Sequence, residues 1–396
     1  MSAGGPEPAP RAGFTAGLQP RRDKSEQSGT TRRLIIDCHA HVFEHWQGAC
    51  GHDSAAVHLK YLQKVVTRPA ARAFRARDGK EIRPAMLFRP DDSTWAGLTE
   101  VDFRVGRFGQ LAFTFEGEDH YVQYMPVGMQ ELVCPPELMI AQMVNAGVDH
   151  CILQAGGGYG AMNDYNAFAQ RRYPDRFTGL LHVDEAVADA RAQLAEVDRA
   201  VGTLGLKGLY YAHDMSRHGY ARNLDHADFA PFWEKIAGYG LPVFLELSST
   251  PGYDRASYLA NLAAMDVVLR RHRSTRFLLV MGPPVGHFAP RGTWEIPDAA
   301  MATYKRDNLL LEVMFPISWG GVWDYPYPEA QALIRGLRDT FGAAKLVWGS
   351  DMPNVERFCT YRQCVDYVRR HCTFLSAAEK DRILGGNAAE LVGRAH

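Results

Sequence analysis

Eight short runs of aliphatic and aromatic residues constrain what this chain can fold into. They are LIID (34–37), HCILQA (150–155), FTGLLHV (177–183), LKGLYY (206–211), LPVFLEL (241–247), FLLVMG (277–282), LLLEVMF (309–315) and KLVWGS (345–350). Stretches of helical period separate the later ones, among them residues 184–205, 229–240 and 327–343. Apolar strands that alternate with amphipathic helices indicate parallel strands joined by right-handed crossovers. From the second run onward the spacing is ~30–35 residues, as each βα unit requires. Eight such units predict an α/β fold, a (β/α)8 barrel. The rival, an open doubly wound sheet, lacks its cofactor signal, because no GxGxxG follows the first strand.

The spacing breaks once. Residues 44–135 are too many for one crossover, so the sequence predicts an inserted subdomain on the barrel rim between strands one and two. Within it, residues 102–124 read as a β-hairpin or small meander turning at Gly109–Gln110, and residues 57–76 have helical character. The helix at 135–147 then opens the regular pattern with proline in its first turn. Near the C-terminus Ser376 and Glu379 have capping-box spacing. Residues 1–33, rich in Gly, Pro, Ser and Arg, read as a disordered leader without the apolar core of a secretory signal. The organisation expected is thus a leader (1–33), a barrel (34–396) and an insertion within it (44–135).

Composition narrows the function. Lys and Arg number 44 against 45 Asp and Glu, for a formal charge of -1, so no global field draws nucleic acid or an anionic membrane. The 7 cysteines form no CxxC pair, which argues against a disulfide framework or zinc ribbon and suits a reducing cytoplasm. No apolar run reaches the ~18 residues of a membrane span. A small-molecule enzyme, cytoplasmic and assembled as a dimer or tetramer, is the expectation.

Barrel chemistry sits at the carboxyl ends of strands. Strand one ends in Asp37-Cys38-His39-Ala40-His41; residues i and i+2 share a side, and two imidazoles there suit a divalent metal unless they are incidental polar residues. Strand eight ends in Trp348-Gly349-Ser350-Asp351-Met352-Pro353, where Asp351 is either a helix-starting residue or a ligand and general base. The two sites become neighbours when the barrel closes.

With these residues in view, the chain resembles the amidohydrolase superfamily. Within it, the chain looks like the branch that includes aminocarboxymuconate-semialdehyde decarboxylase and the γ-resorcylate decarboxylases. The resemblance rests on LIIDCHAHVF, AGVDHCILQ, RRYPDRFTGLLHVD, LGLKGLYY, YGLPVFLEL, KLVWGSDMP and ILGGNAAEL, and runs from about residue 34 to 394 outside the insertion. It implies one divalent metal, zinc or alternatively manganese, no organic cofactor, and a small carboxylic acid as substrate. The activity implied is non-oxidative decarboxylation of an aromatic or unsaturated acid. The alternatives are metal-dependent hydrolysis of an amide, lactone or ring C–C bond, and a metal-independent or catalytically decayed relative.

Two positions depart from that branch. Strand five usually ends in a histidine ligand where this chain has Glu246, and strand six in a histidine where it has Pro283, with His287 four residues later. The expected metal ligands are therefore His39, His41, Glu246 and Asp351, and the expected catalytic groups Asp351, His213 and His287. His182, placed within strand three, is either a functional group near a strand end or a satisfied, inward-facing core histidine. Glu312 either orients a metal-bound water or is a buried, partnered carboxylate. Lys207 lies near the start of its strand and reads as structural. Trp319, Trp323 and Tyr325, in a loop dense in aromatics, are expected as apolar walls for the substrate, or else as an oligomer contact. The glycine-rich residues 155–165 offer backbone amides for an anion but lack the lysine of a P-loop. Arg89, Arg104 and Arg107 read as solvated surface.

Overall fold

The structure is a computed structural model that describes residues 34–67, 72–89, 91–92, 95–156, 158–213, 222–247, 254–314 and 323–394. The leader reading at 1–33 and the Trp319 reading lie outside these residues. Eight parallel strands form the frame: β1 (Ile36–Ala40), β2 (His150–Leu153), β3 (Phe177–Gly179), β4 (Leu209–His213), β5 (Val243–Leu247), β6 (Phe277–Val280), β7 (Leu309–Val313) and β8 (Leu346–Trp348). Ladders join β1, β2 and β3 in one run and β4 through β8 in another. Two parallel bridges close the ring. Leu181 pairs with Leu209 between β3 and β4, and Ala40 pairs with Met352 between β1 and the residues after β8. This is the (β/α)8 barrel that the alternating pattern predicts.

Its interior is a layer of inward side chains, among them Ile36, Ile152, Leu180, Tyr210, Phe244, Leu278, Leu310 and Val347. Ala388, Ala389 and Leu391, from the helix Asn387–Leu391, belong to the same cluster and plug the end opposite the site. A larger apolar shell lies between the strands and the surrounding helices. The helix Pro136–Ala146 begins at proline and ends on Gly147 in the left-handed region. The helix Ala377–Asp381 carries the complete capping box of Ser376 and Glu379. Among the described residues no helix is long and apolar enough to cross a membrane.

Between β1 and β2 a five-stranded antiparallel sheet has the spatial order Glu81–Ile82, Ala73–Arg75, Glu118–Gln123, Gln110–Phe115, Arg104–Val105. Phe43 and Cys134 exchange backbone hydrogen bonds of 2.9 and 3.0 Å, which pins its entry and exit together. Two details differ from the sequence reading. The helix ends at Val65, with Val66 as its cap, and Ala73–Arg75 pairs as a strand with Glu118–Gln123. The meander has two turns. One passes through Phe108 and Gly109 (φ 56 and 77°), with Gln110 already in the strand. The other is a tight Glu116–Gly117 hairpin (φ 50 and 77°), the positive-φ pair that a type I′ turn needs.

Candidate metal centre

Strict alternation from Ile36 and Cys38, both interior, would turn His39 and His41 toward the helices. The ladder to β2 prevents this. Asp37 pairs with Cys151 and Ala40 with Leu153, so three steps on β1 match two on β2. This bulge re-aims the strand end and brings both imidazoles to the barrel mouth. Asp37 fixes it from below. Its carboxylate accepts from the His39 and Ser350 amides, each at 3.0 Å, from the Ser350 hydroxyl, and from the Tyr361 hydroxyl at 2.7 Å. Burial pushes the Asp37 carboxyl up to about 6 against these hydrogen bonds.

Asp351 completes the cluster. Its backbone sits in the left-handed region (φ 63°), held by its amide on the His39 carbonyl at 2.8 Å. His41 Nε2 lies 3.0 Å and His39 Nε2 3.8 Å from Asp351 Oδ1. All three residues are buried, and their ligand atoms lie within 4.8 Å of one another. The Nδ1 atoms face protein acceptors: His39 to Glu312 Oε1 at 3.1 Å, His41 to the Gln154 carbonyl at 3.1 Å. Orienting the far nitrogen in this way is the usual support of a metal-binding histidine.

The carboxylates around the cluster draw positive charge to it, a proton on His39 or a bound cation in its place. Burial keeps His41 below its ordinary pKa, hence neutral. A neutral imidazole has one N–H for two acceptors here, the Gln154 carbonyl and Asp351 Oδ1, and a metal at Nε2 resolves that conflict. Burial also opposes charge on His39. Glu312, with Asp351 and Glu246 behind it, outweighs burial and lifts His39 to about 9. Burial would raise the Asp351 carboxyl, but the His41 hydrogen bond and the two imidazoles hold it below its usual value. Two imidazoles and an ionised carboxylate form a donor set suited to a borderline divalent ion.

Glu312, fully buried on β7, is the partnered carboxylate of the two readings. It accepts from Cys38 Sγ at 3.3 Å, His39 Nδ1 and the Met281 amide. Gly349 makes room for it, since a Cβ there would stand 2.1 Å from Glu312 Oε1. Glu246 lines the same cavity and accepts from the Tyr210 hydroxyl. Its charge reaches His39, but it is not part of the three-residue cluster.

Other expected residues fall elsewhere. In register with β5, Tyr210 and Ala212 face the interior while Tyr211 and His213 face the helices, where Tyr211 packs on Phe232 and Trp233. His213 thus stands at the right height on the wrong face. His287, on a short helix, packs near Tyr258 and does not line the cavity. Trp323 packs against the outer core, and Tyr325 is exposed with its hydroxyl 2.8 Å from His371 Nε2. Neither lines the cavity. Lys207 lines a separate groove at the opposite end of the barrel.

The cavity at the cluster encloses about 1130 Å³. Its aromatic walls come mainly from the insertion, through Tyr61, Phe74, Trp95 and Tyr124, and from Tyr159 and Tyr210. His182 also lines it, with Nε2 3.1 Å from Glu185 Oε1. Burial opposes charge on His182, but Glu185 outweighs it and raises the imidazole above its ordinary value. Arg357 lines the cavity and, among the described residues, has no ion-pair partner; its Nε donates to the Asn354 carbonyl at 3.3 Å. Sequence reasoning passed over Tyr159, Asn354 and Arg357. The signal for the last two was their place three and six residues beyond Asp351.

Residues 36–394 match the amidohydrolase family. No curated protein matches the chain. Several solved structures share its architecture. One is described as a probable 2-pyrone-4,6-dicarboxylic acid hydrolase from Acinetobacter baumannii with citric acid bound (18% identity, 66% of this chain and 90% of that one, TM-score 0.50). Another is a 2,6-dihydroxybenzoate decarboxylase from Rhizobium (17%, 66% and 89%, TM-score 0.50). A third is a dihydroxybenzoic acid decarboxylase from a Polaromonas species with manganese and the inhibitor 2-nitroresorcinol (18%, 67% and 88%, TM-score 0.50). At these identities the likeness establishes the barrel and leaves the reaction open.

Proposed function

From the premise that this chain belongs to the amidohydrolase family and is an enzyme of that superfamily, we propose that it is a metal-dependent, non-oxidative decarboxylase of an aromatic or unsaturated carboxylic acid. The observation that carries this reading is the buried His39–His41–Asp351 cluster, which opens on an aromatic-walled cavity bordered by Arg357. His39 and His41 would offer Nε2 and Asp351 its carboxylate to one zinc or manganese ion, with Glu246 as a fourth donor. Bound there, a divalent ion supplies a Lewis acid that draws charge from a substrate oxygen.

The remaining work falls to side chains. Arg357 receives the substrate carboxylate, for which its guanidinium has the matching fork. Tyr124, Trp95 and Tyr210 hold the planar body of the acid and exclude water. His182, whose protonated form Glu185 favours, supplies a proton to the carbon that loses CO₂. One C–C bond breaks, one C–H bond forms, and no electrons leave the substrate. Asp351, held ionised, acts as a ligand and not as the acid.

That same ionised Asp351 supports a second reading, hydrolysis, in which it takes the proton of an attacking water. A panel of hydroxybenzoates, unsaturated diacids and lactones, incubated with metal-loaded protein, separates the two. CO₂ released in step with substrate loss supports decarboxylation. New acid without CO₂ supports hydrolysis, and no turnover of either kind removes both.

A further inference from the structure

Tyr159 stands beside the metal cluster without a part in the assignments above. It follows β2 in the glycine-rich stretch 155–165, where the structure gives Gly160 a reason other than cradling an anion. A Cβ on Gly160 would lie 2.2 Å from the Cys50 carbonyl, and the Ala161 amide donates to that carbonyl at 2.8 Å. The loop is thereby drawn tight against the base of the insertion. This close approach places the Tyr159 ring flat on His41, with centroids 4.0 Å apart and planes at 12°.

The orientation of its hydroxyl follows from Asn354. That amide lies between Asp351 and Tyr159, with Nδ2 3.4 Å from Asp351 Oδ1 and 2.8 Å from the Tyr159 oxygen. An ionised carboxylate demands the N–H side of the amide, so the phenol oxygen also receives an N–H and serves as acceptor. Its own proton must go elsewhere, and among the described residues no acceptor takes it. Tyr159 lines the cavity in which the metal cluster opens.

Resting on the function proposed above, we infer that Tyr159 donates its phenolic O–H to an anionic oxygen of the bound acid, carboxylate or phenolate, at the position facing the metal ligands, with Asn354 as the residue that positions it. Stacking on His41 and donation to substrate are separable, because phenylalanine keeps the ring and loses only the hydroxyl.

The test compares manganese-loaded wild type with Tyr159→Phe by calorimetric titration of benzoate, 2-hydroxybenzoate and muconate, with manganese content and melting temperature measured on the same samples. The expected result is unchanged manganese content, a melting temperature within a few degrees of wild type, and ~10–100-fold weaker binding of the acid that wild type holds tightest. Asn354→Ala is expected to weaken the same acid in the same direction. Equal affinity in Tyr159→Phe with manganese retained overturns the inference and leaves the metal-dependent reading standing. Loss of manganese in Tyr159→Phe overturns it too, reducing the ring to a support for His41, as does failure of wild type holoenzyme to bind any of the three acids. Absence of manganese from wild type itself is the different result that fails the proposed function.

Discussion

Gly349→Ala adds a single methyl carbon at the most crowded point of the site. The new Cβ would stand 2.1 Å from Glu312 Oε1, 2.9 Å from His39 Cβ and 3.0 Å from Cys38 Sγ. To restore van der Waals contact the carboxylate must retreat by roughly 1 Å. Glu312 has nowhere to go without releasing His39 Nδ1, Cys38 Sγ or the Met281 amide, its three donors. Overpacking an interior costs about 1–3 kcal/mol, and breaking a hydrogen bond to a buried charge adds about 1.5–3 kcal/mol. The sum, about 2.5–6 kcal/mol, is a large part of a typical folding free energy of about 5–15 kcal/mol. In a chain of this size it lowers the melting temperature by roughly 3–7 °C. Because Glu312 sets the orientation of His39, metal affinity is expected to fall ~10–100-fold as well. The assay is a thermal melt with a chelator-competition metal titration, run beside Gly238→Ala, whose Cβ meets nothing within 4 Å at the end of the helix Ala230–Gly238. That control should melt at the wild-type temperature or slightly above. A Gly349→Ala protein that melts and binds metal like wild type would falsify the account of Glu312 as a packed, orienting carboxylate.

Two further outcomes follow from the structure. His150 is fully buried, with Nδ1 donating to the Asp175 carbonyl at 3.0 Å and Nε2 accepting from the Thr178 hydroxyl at 2.8 Å, and burial lowers it from 6.5 to about 4. The folded state thus refuses a proton that the unfolded chain accepts, so stability is full above pH 6.5 and falls by about 3 kcal/mol as pH drops to 4. Denaturant melts at pH 7.5 and 4.5 check this; His150→Asn should show a shallower acid loss, and an equal loss in both proteins would assign it to other groups. Tyr124→Ala should raise KM about 10-fold by opening the cavity wall, whereas Tyr325→Ala, whose hydroxyl pairs with His371 outside the cavity, should leave KM unchanged. The reverse pattern would return the substrate wall to the loop before Pro328.

How far the sequence revealed this site can be judged residue by residue. All eight barrel strands were legible, because buried parallel strands read as near-continuous apolar runs. Asp351 was legible because it ends such a run beside Pro353. His39 and His41 were found by spacing, but the reason they face the mouth is the bulge between Asp37 and Ala40, and a ladder register is invisible in one strand alone. His213 shows the converse. The end of β4 was placed correctly, yet the inward face was fixed by pairing with β5, which puts Ala212 opposite Glu246. The insertion was seen as an excess of residues holding a helical stretch and a hairpin or meander, but not as a wall of the site. Its elements are short and half exposed, so Phe74 on a strand and Trp95 and Tyr124 outside the strands gave no periodic signal that they wall the cavity. Tyr159 was hidden for another reason, since its neighbours are glycines that read as flexibility while the fold uses Gly160 for close approach to Cys50 and Gly158 for close approach to Val65.

Metal content of the purified protein tests the central claim most directly. After loading with manganese or zinc and exhaustive dialysis, elemental analysis of wild type should find about one ion per chain, with the ion lost in His39→Ala and in Asp351→Asn while both variants keep a folded circular dichroism spectrum. Wild type that turns over its acid without bound metal, or ligand variants that hold the ion as tightly as wild type, would contradict the assignment of His39, His41 and Asp351 as the metal centre.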